Sequence, residues 1–321
     1  MFRPRYGRDN SWCKLSKLIF SLRGLFSHPE KAGVAMVVIG AILISFSSVY
    51  VKLAHVTPTI AGVYRTLFGG LILLVIVRRK GERLWKGKPY FFLAIFGSGL
   101  FALDLYLWHT SIHYIGPGLA TILANFQVFF LTLFGVLVLK ERPGLRLVIA
   151  ICMAFSGIYL LAGLRWAQLE QVYKLGLFLG LSAALCYAAY ILVLRKLQLL
   201  EGSPSVAANL VIISLASALL LGAYAWSKGE SFAIPDMQSF LALIAYGFFS
   251  QAIGWVLITT GLPGIRSSLA GLLLLLQPAL ALVWDILIFD RETDIYGGIG
   301  VALTLTAIYF GTVQKKKTTG P

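Results

Sequence analysis

Charge is what this chain has least of. Asp, Glu, Lys and Arg together fill 13% of its 321 positions, against 58% apolar residues and a mean hydropathy of +0.83. A soluble domain of that length carries roughly twice the charged fraction, so the composition excludes one. Cysteine is also scarce. Cys13, Cys152 and Cys186 are odd in number and two lie inside apolar runs, which excludes a disulfide framework and a cysteine ligand cluster. No glycine-rich phosphate-binding loop is present, which argues against ATP drive from this chain, and no cofactor is expected. Acidic residues number 13 against 28 basic ones, a formal charge of +15. In a soluble protein that excess would suggest nucleic acid. In a membrane protein it marks Lys and Arg held on the cytoplasmic side, so the expected partners are the lipid bilayer and a small-molecule substrate, with no nucleic acid.

What is there is a succession of apolar runs. Runs of roughly 18 or more such residues are candidate membrane spans. Breaks at charge, Gly and Pro predict ten, at 33–54, 58–77, 90–113, 118–139, 145–163, 175–194, 205–226, 239–261, 267–289 and 295–313. The predicted fold class is all-α integral membrane. Connections are short: the turn around Pro58 separates the first two spans, and Ile115-Gly116-Pro117-Gly118 breaks the helix between the third and fourth. Of the 28 Lys and Arg, 22 fall in the tails and alternate connections on one side. The other side holds four (Arg165, Lys174, Lys228, Arg291), and Lys52 and Arg65 lie within spans. The rich side is expected to be the cytoplasm, with both termini there. The compact chain and short loops suit a bacterial inner membrane.

Residues 1–32 form a basic tail. Trp12, Leu15, Leu18, Ile19, Leu22, Leu25 and Phe26 recur at helical spacing between Lys14, Lys17 and Arg23, the pattern of a short helix lying on the inner leaflet; a disordered tail is the alternative. Residues 314–321 form a second basic tail.

An internal match divides the rest. Leu119-Ala120-Thr121-Ile122-Leu123-Ala124-Asn125-Phe126-Gln127 precedes Leu269-Ala270-Gly271-Leu272-Leu273-Leu274-Leu275-Leu276-Gln277 by 150 positions, with Leu119, Ala120, Leu123 and Gln127 identical to their counterparts. Each stretch follows a Pro-Gly break, and each span ends in a charged cluster, Lys140-Glu141-Arg142 or Asp290-Arg291-Glu292. Both occupy the fourth span of a set of five. Five being odd, the second set enters the membrane inverted, a common plan for transporters with a midplane site.

Here the chain resembles the drug/metabolite transporter superfamily, in its EamA-like branch of ten helices. The resemblance rests on Tyr64-Arg65-Thr66-Leu67-Phe68 in the second span, Leu139-Lys140-Glu141-Arg142 closing the fourth and Gln277-Pro278-Ala279-Leu280 in the ninth. It departs at Val128, where a proline is common, and at Arg291, which takes a glutamate position. The resemblance implies two EamA-like repeats of five helices, 33–163 and 175–313. It also implies a permease whose relatives export amino acids, nucleosides, sugars, drugs and other metabolites.

Ionisable residues inside spans cost several kcal/mol unless they pair or face water, so each is a functional candidate. Arg65 lies roughly 10 Å deep at ~1.5 Å per residue. Asp104 lies at a comparable depth, and an Arg65–Asp104 pair is geometrically possible, structural or functional. Asp104 is the most deeply placed carboxylate and so the proton-coupling candidate. Asp285 meets the interface or pairs with Arg291. Asn125, Gln127, Gln251 and Gln277 can hydrogen-bond a polar solute or a neighbouring helix. Trp108, Tyr187, Tyr190 and Trp255 can form stacking walls or ordinary packing. His109 and His113 have metal-site spacing but lack a third ligand, and read better as a polar helix end. Gly69-Gly70 and Gly297-Gly298 suit close helix packing.

The substrate-pathway set is thus Arg65, Asp104, Trp108, Asn125, Gln127, Tyr187, Gln251, Trp255 and Gln277, with no catalytic and no metal residues. These predict a secondary-active exporter of small polar or amphipathic, amino-acid-like metabolites working by alternating access. The alternatives are a passive facilitator, an intramembrane enzyme or a receptor. An intramembrane enzyme needs clustered carboxylates, and only Asp104 and Asp285 are placed to serve. Nothing in the sequence chooses between monomer and homodimer.

Overall fold

The structure, a computed structural model, describes residues 29–82, 84, 87–137, 145–160, 169–200, 205–261, 265 and 273–312. The predicted amphipathic tail, the Lys140-Glu141-Arg142 cluster and the 314–321 tail lie outside them. The described residues are helical, with no strand among them. In chain order the helices are α1 (Pro29–Ser45), α2 (Ser47–Leu53), α3 (Pro58–Arg79), α4 (Lys88–Ile115), α5 (Pro117–Ala124), α6 (Gln127–Leu137), α7 (Leu145–Ile158), α8 (Gln171–Leu199) and α9 (Val206–Ser227). Then follow α10 (Met237–Ala245), a π-helical segment Tyr246–Gly254, α11 (Trp255–Gly261), α12 (Leu276–Phe289) and α13 (Ile295–Thr312).

Six stretches are long and apolar enough to cross a membrane: Lys31–Leu53, Pro58–Arg79, Lys88–Ile115, Gln171–Leu194, Val206–Ser227 and Met237–Gly261. Four shorter apolar helices, Pro117–Leu131, Val148–Gly157, Leu276–Phe289 and Ile295–Phe310, occupy the remaining predicted segments.

Local chemistry sets the ends. Pro58 opens α3 where its missing N–H is not needed, and the Thr57 side chain accepts from the Ile60 amide. Ser205 caps α9 and Asp236 caps α10 in the same way. Gly116, at φ +87°, ends α4 and begins α5. That is a left-handed conformation glycine adopts without strain.

Several predicted spans are broken inside. The first kinks at Phe46, where Trp284 stacks at 4.5 Å and donates to the Ser45 hydroxyl at 2.9 Å. The fourth breaks at Asn125–Phe126 and the ninth at Leu275, both with ψ near −10° (Asn125 −7°, Leu275 −14°).

Packing joins the first half of the chain to the second. α3 lies against α9, α4 against α8 and α9, α5 against α8 and α12, α7 against α13, and α1 against α11, α12 and the π-helical segment, which also packs on α3. Gly69 and Gly70 allow the close approach the sequence predicts: a Cβ at Gly69 would lie 2.4 Å from Gln251 Cγ, and one at Gly70 2.8 Å from Leu215. Gly297-Gly298 differs from expectation. Gly298 has nothing within 4 Å, and the Gly297 amide is bound by the Asp294 carboxylate at 2.7 Å, so this pair starts a helix and packs no neighbour.

Candidate functional site

Arg65 is the centre of the polar interior. It is 5% exposed, on the second turn of α3. Its Nε donates to Gln251 Oε1 at 2.8 Å and its Nη1 to the Tyr246 hydroxyl at 2.7 Å. Gln251 Nε2 then donates to Ser214 Oγ at 3.0 Å. His109 is fully buried, with Nδ1 3.0 Å from the Pro58 carbonyl and Nε2 2.9 Å from the Tyr246 hydroxyl. A carbonyl only accepts, so Nδ1 carries the proton and Nε2 accepts from Tyr246. The chain of donors therefore runs from Arg65 to Tyr246 to His109 to Pro58, joining α3, α4 and the π-helical segment.

Three aromatic rings surround the guanidinium. Its carbon lies 4.8 Å from the ring centre of Tyr246, 5.7 Å from Phe101 and 5.9 Å from Trp108, within the range of cation–π attraction. Phe101, Asp104 and Trp108 recur at helical spacing on α4, so Asp104 shares the face that meets Arg65. Asp104 is 7% exposed and within electrostatic reach of Arg65, Tyr187 and Tyr190. It makes no hydrogen bond and no ion pair with another described residue. The hydrogen bonds of the Arg65 guanidinium among them run from Nε and Nη1, and the buried Trp108 Nε1 has no partner among the described residues. The guanidinium and the carboxyl group therefore lie within reach of one another without a direct bond among the described residues.

The other predicted residues divide. Gln251 belongs to the Arg65 cluster, and Tyr187 stacks on Tyr190, which stacks on Phe101. Asn125 turns back to its own helix, donating to the Thr121 carbonyl at 2.8 Å. Gln127 Oε1 is buried with no partner among the described residues, Arg65 included. Trp255 packs against the apolar cluster that holds Leu73, Val77 and Val211. Gln277 is half-buried in the first turn of α12. His109 corrects the expectation of a polar helix end, since it is buried and fully bonded.

The sequence reading passed over Tyr246, His109 and Ser214 as site residues. Tyr246 and Gln251 stand five positions apart, about 140° around an α-helix at 3.6 residues per turn. The π-helical segment places both against Arg65, and such segments cluster at functional sites.

At the predicted outer end, polar contacts tie the two halves of the chain together. His55 Nδ1 lies 2.7 Å from Asp236 Oδ2, and the His55 amide donates to Ser239 Oγ at 2.8 Å. Thr57 and Thr59 both donate to Glu230, Tyr64 donates to the Phe232 carbonyl, and Gln238 donates to the Leu53 carbonyl at 3.1 Å. The Ser239 amide and then the His55 ring hold the Asp236 carboxyl below the usual carboxylate range. Nearby, Asp285 accepts from the Gly118 amide at 2.9 Å and from Arg291 at 3.1 Å, and Arg291 donates to the Ile115 carbonyl at 2.8 Å. Of the two alternatives for Asp285, the structure has the Arg291 pair.

A helical chain with these apolar stretches is a multi-pass membrane protein, and its buried charges fit a protein that handles solutes. The EamA-like transporter family model matches residues 31–163 and again 174–312. The chain therefore belongs to the EamA-like transporter family, consistent with the drug/metabolite transporter superfamily. It is similar to the uncharacterized transporters YvbV (23% identical, covering 82% of this chain and 85% of that protein) and YwfM (24%, covering 81% and 86%) of Bacillus subtilis. An uncharacterized transporter of Haemophilus influenzae is 30% identical over 40% of this chain and 43% of that protein. A solved crystal structure shares the fold, with a TM-score of 0.62 and 17% identity over 88% of this chain and 98% of that one.

Proposed function

We propose that this protein is a secondary-active exporter of small polar or amphipathic metabolites, amino-acid-like zwitterions foremost. It works by alternating access between two inverted five-helix halves of a ten-span bundle, in a bacterial inner membrane with both termini cytoplasmic. One observation carries the reading: the basic Arg65 and the acidic Asp104 are buried and unjoined among the described residues, with the unpartnered Trp108 Nε1 beside them. An uncompensated buried charge is costly. A solute bearing a carboxylate and an ammonium group completes both, the carboxylate on the planar guanidinium fork and the ammonium on Asp104. Phe101 and Trp108 then line the solute, with Tyr187 and Tyr190 behind. Asp104 binds either the ammonium group or a proton, and that competition couples export to proton entry.

The pairing of helices supports two inverted repeats. α3 meets its counterpart α9, α5 meets α12 and α7 meets α13, while the α4–α8 contact is matched by that of α1 with α11. The breaks at Asn125 and Leu275 stand at the same place in the two aligned stretches. The contacts around His55 and Asp285 support a state closed at the outer end.

The test is exchange of labelled amino acids, nucleosides, sugars and cationic drugs across liposomes holding the purified protein. Exchange of amino acids driven by a pH gradient, lost in Asp104→Asn, is the expected result. Exchange indifferent to the gradient in both proteins makes it a facilitator. No exchange of any class from folded protein favours an enzyme or receptor.

A further inference from the structure

A groove of about 390 Å³ opens on the flank of the bundle, lined by none of the residues around Arg65. Pro89, Phe92, Leu93 and Phe96 of α4 form one side, and Lys196 with Leu200 at the end of α8 form the other. Phe92 is 69% exposed and Phe96 60% exposed. On a helix that crosses a membrane, such rings are covered by lipid tails. The groove sits at the first two turns of α4 and the last turn of α8, which the distribution of Lys and Arg assigns to the basic end. Lys88, exposed and adjacent to Pro89, adds a second positive charge at that end.

We propose that this groove is a binding site for one anionic phospholipid of the inner leaflet. Its acyl chain lies along Phe92, Leu93 and Phe96, and its phosphate meets Lys196 and Lys88. The chemistry on each part of the groove selects this ligand. A neutral lipid gains the apolar floor alone, while a soluble phosphate gains the lysines alone. Basic pockets between membrane helices on the cytoplasmic side are recognised sites for acidic headgroups, at about 1 kcal/mol per lysine near the surface. The seam matters for transport because α4 and α8 also carry Asp104, Trp108, Tyr187 and Tyr190. A lipid wedged at one end of the α4–α8 contact stiffens the wall that faces Arg65.

The site rests on the proposed orientation only for its leaflet. Binding in detergent tests it without reference to transport, so either reading can fail alone. The purified protein is titrated with phosphatidylglycerol and, separately, with phosphatidylethanolamine, and bound lipid is counted by native mass spectrometry. The expected result is one tight phosphatidylglycerol per chain, with phosphatidylethanolamine binding much weaker. Lys88→Gln with Lys196→Gln should weaken phosphatidylglycerol by up to about thirtyfold, two exposed ion pairs at up to about 1 kcal/mol each, and leave phosphatidylethanolamine unchanged. Phe92→Ala with Phe96→Ala should weaken both lipids. Equal binding of the two lipids by the native protein, or phosphatidylglycerol binding that survives loss of both lysines, overturns the proposal. Thermal melting of each variant close to that of the native protein confirms that the fold is intact.

Discussion

Tyr246 shows how a single polar group organises this interior. The Tyr246 hydroxyl accepts from Arg65 and donates to His109, so Tyr246→Phe strands a guanidinium N–H and an imidazole nitrogen together. Leaving such groups buried without partners costs about 1–3 kcal/mol each, and the variant should melt measurably lower in detergent; an unchanged melting temperature would place the bond at no consequence. Asp236 acts at the proposed outer end. Its carboxyl is lowered by folding, so its contribution is full above the unfolded value and is lost as pH falls through the lowered one. Acidification through that range should loosen the contacts to His55, and Asp236→Asn should show a melting temperature that varies less with pH than the native protein. Arg65, Asp104 and Gln251 were legible in the sequence because charge and amide stand out in apolar runs. Tyr246 and Ser214 were not, because a hydroxyl in such a run looks the same whether it packs or bonds.

At the level of helices, close approach is the controlling feature. Gln251 reaches Arg65 across the gap left by Gly69, where a Cβ would meet Gln251 Cγ at 2.4 Å. Gly69→Val should therefore cost about 1–3 kcal/mol of overpacking and displace Gln251, read as a lower melting temperature together with lost transport. The positions of the helices were legible from apolar runs and from Pro58, Gly116 and Pro117. Their internal breaks were not. The kink at Phe46 depends on Trp284, more than two hundred positions away. The π-helical turn departs from the period of 3.6 on which faces were assigned, and it brings Tyr246 and Gln251, five positions apart, onto the one Arg65 side chain.

For the whole molecule, the halves interlock, and the contacts at His55–Asp236 and Gly118–Asp285–Arg291 join them at one end. The internal match at 119–127 and 269–277 puts one stretch in each of the two segments, 31–163 and 174–312, that the family model matches. How the halves meet was not legible, because Leu-rich faces specify burial and leave the partner open. In the proposed alternating access these contacts must part in each cycle. In a background lacking Cys13, Cys152 and Cys186, oxidation of a His55→Cys, Asp236→Cys variant should stop exchange and reduction should restore it. Exchange that continues in cross-linked protein would remove this end from the cycle. The most direct test of the account is amino-acid exchange by liposomes holding native, Arg65→Gln or Asp104→Asn protein. The account predicts robust exchange by the native protein and a loss of more than about tenfold in each variant, because one end of the solute loses a charged partner worth roughly 2–5 kcal/mol. Undiminished exchange of zwitterions by both folded variants would contradict it.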